Sequence, residues 1–415
     1  MSLAKDAILE PAQLERYADA ITKSIALKRG DTIIVRGAPA HRELMVAVAT
    51  SAYRGGAHVV DTVYVDPLVM RARLVHGRDD ALGVVTPWTQ GRFRELMTNP
   101  DSAEIYISGE SDPGFLDGVP TKRIQTEYAR VGQKLRAFRR ASLDMRVRWT
   151  IAGWPTDHWA GQVYPGMPVL KAKRKLAQDL LWFSRLTDED GPGASGWMAH
   201  GRALERRAAK LTRLALTRVE LRGPGTELDL RLVPGTAWLG GLERTQNGAL
   251  IAANMPTEET FTSPDATGTE GTFTCTFPLS FQGRLIEGLK GEFRSGKLVR
   301  LEARRKADRD FVAGYIDSDP KGNGRRLGET ALVDATSRIG QSGRIYYDTL
   351  LDENAAAHIA FGSGFGGTRT IKPERGLNQS PVHLDVMIGS PDFEATGVNA
   401  KGKRIPVIRD GLWAI

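Results

Sequence analysis

Strand and helix signals alternate through the first half of this chain and then give way to strands alone. That change of texture constrains the fold more than any other feature of the sequence. After Gly30-Asp31, the run TIIVR (Thr32 to Arg36) reads as a buried strand. Residues 41–54 carry helical spacing through Leu44, Val46, Ala47 and Ala52, and Gly55-Gly56 supplies a stop. HVVDTVYV (His58 to Val65) is rich in β-branched residues and reads as the next strand. EIYIS (Glu104 to Ser108), the helical stretch 124–142 and VRWTIAG (Val147 to Gly153) repeat the pattern. Parallel neighbours need a crossover connection, so this alternation predicts a mostly parallel sheet with helices on its faces. Helical spacing continues at 170–185 and 199–215, and the polar, Gly-rich LTDEDGPGASG (Leu186 to Gly196) between them reads as a linker.

From Leu216 onward, short strands are separated by Gly and Pro turns: RVELRG, ELDLRLVPG, GALIAANMP, GTFTCTFPL, RLIEGLKGEF and KLVRLEARR. Thr272–Phe277 and Val299–Arg304 alternate with period two, as half-buried antiparallel strands do. Helical pattern returns at Asp308–Ile316 and around Asp352–Ala360. The expectation is an α/β N-terminal domain over residues 1–200 and an α+β, strand-rich C-terminal domain over 201–415, a division that suits a chain of 415 residues.

Composition narrows the function classes. Hydrophobic residues at 41% and charged residues at 26% describe a globular chain, not a disordered one. No apolar run is long enough for a membrane helix, and the charged N-terminus lacks a signal-peptide core, so a cytoplasmic protein is expected. The lone Cys275 leaves no internal disulfide and no multi-Cys zinc module. The net charge of +8 invites a nucleic-acid reading, and its densest stretch is Arg136, Arg139, Arg140, Arg146 and Arg148. No helix-turn-helix, finger or aromatic RNA-binding signature accompanies it, so that stretch reads as a solvated face or subunit contact. An anionic small substrate is the better functional reading of the surplus.

Acids and histidines of the second half gather in four segments. NMPTEETFTSPD carries Glu258 and Glu259; RRLGETALVD carries Glu329; LLDENAAAHIAFGSG carries Asp352, Glu353 and His358; SPVHLDVMIGS carries His383 and Asp385. His-x-Asp in extended chain puts both side chains on one face, where one imidazole and one carboxylate reach the same ion. Two His with several carboxylates form an N/O ligand set suited to Zn²⁺, Mn²⁺, Co²⁺ or Fe²⁺. Each element also has a plain structural reading: Glu258-Glu259 as a solvated pair, Gly328-Glu329 as a surface turn, His358 as a packed residue near a helix end.

Taken in order, the four segments resemble the signature segments of the aminopeptidase T and aminopeptidase S family, the thermophilic metalloproteases, closely over residues 245–395. The N-terminal half is consistent with that family's first domain. Carried over residue by residue, the resemblance implies Glu259, Glu329, His358, His383 and Asp385 as ligands of divalent metal, one or two ions per chain. It puts the second acid of Thr257-Glu258-Glu259 at the ligand position and leaves Glu258 as a base or supporting residue. It further implies a homodimer acting on a small molecule or short peptide, while charge pattern and apolar-run length lead to an expectation of no nucleic acid or membrane partner.

One departure bears on the reaction. The family's peptidases have a Tyr seven residues after the first ligand His, placed to donate to the reaction centre. HIAFGSGF puts Phe365 at that catalytic position, and a ring without a hydroxyl cannot donate. The bland reading of Phe365 is core packing. With the Arg surplus and the aromatic segment Trp149, Trp154, Trp159 and Tyr164, the departure tilts the expectation slightly toward an aminohydrolase acting on a small aromatic amine such as a nitroanthranilate. Release of N-terminal amino acids from short peptides ranks almost equal, a ring-opening Fe(II) dioxygenase third, and a non-catalytic binding module lowest. Gly362 to Gly367 formally satisfies GxGxxG, but it follows the ligand segment and runs into Thr-Arg-Thr-Ile-Lys-Pro without a helix pattern, so it reads as tight backbone passage and not as a nucleotide loop.

Overall fold

TIIVR forms the strand Thr32–Gly37, and its apolar run is buried because it lies inside a parallel sheet covered on both faces. The computed structural model describes residues 6–109, 113–282, 284–368 and 375–415; most of the Thr-Arg-Thr-Ile-Lys-Pro run after the Gly loop falls outside them. Five parallel strands stand in the order Val59–Tyr64, Thr32–Gly37, Ser102–Ser108, Arg148–Gly153 and Asn254–Met255. Period-two alternation splits the core between the faces. Ile33, Val35, Ile105 and Ile107 pack with Leu44, Met45, Val48, Tyr17 and Trp197, whereas Ile34 joins Phe93, Leu96 and Phe138.

The helical stretch 124–142 divides at Leu135 into Thr121–Lys134 and Arg136–Leu143. Within the basic stretch, Arg148 is buried in a two-pronged pair with Asp31 (2.7 and 2.8 Å), and Arg140 pairs with Asp144. Trp154 and Trp159 are fully buried, and the buried Tyr164 donates to Asp179. Trp149 is partly buried and reaches the Ser142 carbonyl at 3.3 Å. This aromatic segment is core of the first unit, which removes it as an argument for an aromatic substrate.

Two compact units result: Met1–His200 with Leu242–Pro256, and Gly201–Gly241 with Thr257–Ile415. The return of 242–256 departs from a single boundary at residue 200. Its cause is Asn254–Met255, which pairs with Ile151 and Ala152 as the fifth strand and is too short to show a period of its own.

Among the described residues the second unit holds three antiparallel sheets, the smallest being Leu279–Phe281 paired with Arg284–Ile286. Eight strands run in the order Lys297–Glu302, Lys290–Arg294, Pro264–Thr274, Thr226–Leu232, Leu216–Gly223, Glu394–Asn399, Arg404–Arg409 and Leu412–Trp413. Four more run in the order Thr260–Thr262, Leu327–Leu332, His358–Gly362 and His383–Met387. They share one core, to which the large sheet contributes Leu221, Leu228, Leu230, Phe273 and Phe293 and the small sheet Leu332, Ile359, Phe361, Leu384 and Val386. Helical pattern at 352–360 was misleading: the helix is only Thr349–Glu353, and His358 opens a strand. Among the described residues no helix is long and apolar enough to cross a membrane.

Candidate metal centre

Alternation decides what the small sheet does. Ile359, Phe361, Leu384 and Val386 enter the core, so His358, Ala360, His383 and Asp385 occupy the opposite face. Glu329 stands opposite Ala360, which stands opposite Asp385 on its other side. His358 is flanked by Ala331 and Met387, and His383 faces Gly362. Phe261 pairs with Ala331, so Glu259, two residues earlier, points to this same face. Ala331, Ala360 and Gly362 put only small side chains on this face between the acids and imidazoles.

Two clusters form there. Glu259, Glu329 and His358 offer ligand atoms within 4.8 Å of one another, and so do Glu329, His383 and Asp385, with Glu329 common to both. His358 Nε2 lies 3.2 Å from Glu259, and His383 Nε2 lies 3.4 Å from Glu329 and 3.3 Å from Asp385. The first cluster is buried throughout, while the His383 side chain is 32% exposed.

Backbone carbonyls orient both rings. His358 Nδ1 is 2.9 Å from the Glu353 carbonyl, and His383 Nδ1 is 3.3 Å from that of Ser363. Each Nδ1–H is thereby engaged and each Nε2 is turned to the acids, as in ligating histidines. Burial opposes charge on His358, but the bond and charge of Glu259, with Glu329 and Asp385, raise its pKa to about 10. Burial likewise opposes charge on His383, and Asp385 with Glu329 raises it well above the usual value. Burial lifts the Glu329 carboxyl to about 7 against the bond from His383, with the charge of Glu259 adding to the rise. Burial would raise Asp385 too, but His383 outweighs it and holds it low. Acids and imidazoles packed this way share protons where no cation neutralises them, and the donor set fits a divalent ion.

The remaining sequence candidates fall in different places. Glu258 joins neither cluster: its N–H donates to Asn354 Oδ1 (2.7 Å), and its Oε1 accepts from the Arg338 N–H (3.2 Å). The Phe365 ring lies edge-on to the His383 imidazole, centroids 5.6 Å apart, and 5.0 Å from Phe261. It therefore walls the site. Gly328 and Gly362 make the close passage possible, since a Cβ would lie 2.2 Å from the Ser363 carbonyl oxygen in one case and 2.1 Å from that of Val382 in the other. Asp352 is buried below, accepts from the Tyr346 N–H, and is pushed up to about 8 by burial.

Glu353, named among the acids of its segment, received no role from the sequence. Burial first, then the charges of Asp385 and Glu259, raise its carboxyl well above the usual range, which places it in the field of both clusters. Its presence in one segment with His358 was the available signal.

Comparison with known proteins now bears on this geometry. The profile of a family described as thermophilic metalloprotease (M29) matches residues 11–413. This chain belongs to that metalloprotease family. As a member it is an enzyme, a metal-dependent hydrolase. Aminopeptidase T of Thermus thermophilus is 33% identical over 410 residues, covering 97% of this chain and 98% of the relative. Aminopeptidase AmpS of Bacillus subtilis is 31% identical over 411 residues, covering 97% and 98%. The solved structure of wild-type AmpT from Thermus thermophilus superposes with a TM-score of 0.88 at 32% identity, covering 97% of this chain and 99% of that one. The family resemblance and the fold class expected from sequence are both borne out.

Proposed function

We propose that the second unit is the catalytic domain of a metallo-aminopeptidase that removes N-terminal residues from short peptides. The observation that carries this reading is Glu329, shared by two ligand clusters on one sheet face. The relatives named as aminopeptidases favour peptides over the aromatic amine that the sequence slightly preferred, and burial of Trp154 and Trp159 weakens that preference further. Glu259, Glu329 and His358 would hold one ion and Glu329, His383 and Asp385 a second, drawn from Mn²⁺, Co²⁺ or Zn²⁺. Such an ion supplies Lewis acidity that polarises a peptide carbonyl and acidifies water.

The protein's own groups prepare the site. The Glu353 and Ser363 carbonyls fix the two rings. Glu258 supports rather than reacts, since its carboxylate accepts from the first N–H of the Arg338–Gln341 turn. Hydrolysis of a leucyl chromogenic amide, assayed beside a nitroanthranilate with each metal, tests the reading. Turnover of the nitroanthranilate alone would overturn it.

Two results follow from the same assignment. Phe365→Tyr returns a donor beside His383, and kcat on the amide is expected to rise about 10²-fold with KM little changed. An unchanged kcat would remove Phe365 from the reaction centre. Loading should also depend on pH with a definite sign. Below about 10, His358 holds a proton that an ion must displace. Apparent metal affinity is therefore expected to rise about tenfold per unit from pH 7 toward 9. It should fall more steeply below 7, where Glu329 is protonated as well. Calorimetric titration across that range checks both limbs, and a flat profile would contradict the ligand assignment.

A further inference from the structure

Asn354 is fully buried and joins the two segments that carry Glu259 and His358. Its Oδ1 accepts the N–H of Glu258, the residue just before Glu259, at 2.7 Å. Its Nδ2 donates to the Leu350 carbonyl at 2.9 Å and reaches Glu353 Oε1 at 3.5 Å. Its own carbonyl accepts the Ser337 hydroxyl at 2.7 Å. The peptide preceding it presents the Glu353 carbonyl that orients His358 Nδ1. One neutral planar amide thus ties the approach of Glu259 to the turn that aims His358, using an acceptor at one end and a donor at the other. A carboxylate there lacks the donor, and an aliphatic side chain lacks both.

Among the described residues Asn354 makes no hydrogen bond to Glu329, His383 or Asp385, and its reach toward Glu353, whose carboxyl feels the charge of Asp385, is the long 3.5 Å one. His383 and Asp385 share their own strand, and the His383 ring is set by Ser363. We propose that Asn354 is a positioning residue for one ion position only, the Glu259–Glu329–His358 cluster, and leaves the Glu329–His383–Asp385 cluster unaffected. The inference rests on the two-cluster reading above. It separates two positions that share Glu329 and would otherwise respond together.

The test is titration of the metal-depleted full chain with Mn²⁺ alone, followed by calorimetry, with near-ultraviolet circular dichroism confirming the fold. Wild type is expected to take up two ions. Asn354→Ala should keep one at wild-type affinity and weaken the other roughly tenfold or more, the scale of outer partners of metal ligands. Asn354→Asp keeps the acceptor for the Glu258 N–H, so it should weaken the same position less; it decides the matter if the alanine variant does not fold. Folded variants that bind both ions like wild type, or that weaken both equally, would overturn the proposal. A wild-type chain that binds no ion would overturn the metal reading itself and this inference with it.

Discussion

Glu329→Ala is expected to empty both ion positions at once and to abolish turnover. Glu329 is the residue common to the two clusters, 3% exposed, and the centre of the ligand face. Loss of an outer partner costs about 10–100-fold in metal affinity or activity. Loss of a shared ligand should exceed that, with peptidase activity down at least ~10³-fold and metal content near zero by elemental analysis. His358→Ala or Asp385→Ala removes a member of only one cluster and should leave one ion measurable. The fold should survive. In the metal-free protein the Glu329 carboxyl is pushed up to about 7 by burial, so between the usual carboxylate range and 7 the unfolded chain ionises while the folded one stays protonated. Stability from this group falls as pH rises through that window. Removing it relieves that cost and offsets part of the cavity left behind. A Glu329→Ala protein that retains two ions would end the shared-ligand assignment.

Ala360→Leu should be as damaging without touching a ligand. Ala360 stands in register between Glu329 on one strand and Asp385 on the other, so a longer side chain would fill the space between their carboxylates. Both ions and at least ~10³-fold of activity should be lost, by the same elimination of charge stabilisation that ligand removal causes. Ala360→Gly should keep the ions and cost the strand roughly 0.5–1 kcal/mol. Its neighbour provides the contrast. Ile359 points into the shared core, and Ile359→Leu should leave metal content intact while costing less than ~1.5 kcal/mol. Wild-type metal content in Ala360→Leu would show that the ions do not sit over this strand.

The legible parts of the chain were those where local pattern and tertiary role agree. Thr32–Gly37 and Ser102–Ser108 are apolar runs between turn signals, and His383-x-Asp385 shows its shared face by spacing alone. The illegible parts are those where tertiary structure overrides propensity. AAAHIAFG favours a helix locally, yet pairing with Leu327–Leu332 and His383–Met387 draws it into a sheet. From its residues alone Gly328-Glu329 also admits a surface-turn reading, and only the resemblance made Glu329 a ligand. Here the strand is buried along its whole length, and Gly328 is required by the Ser363 carbonyl pressed against it. The roles of Glu353 and Asn354 were hidden for another reason. Their partners, Asp385 and Glu258, lie far along the chain, and no spacing rule connects them.

The strand Asn254–Met255 has a consequence for how the chain is made. Synthesis delivers four strands of the parallel sheet by residue 153, but the fifth is supplied only after two long strands of the other unit have been translated. Until then Arg148–Gly153 is an open edge, with the Ile151 amide waiting for the Ala253 carbonyl. A fragment cut at residue 200 would keep that edge bare, and it should be prone to associate through it. The N-terminal unit therefore completes its sheet as a nascent chain only when the ribosome has moved well into the segment that forms the other unit.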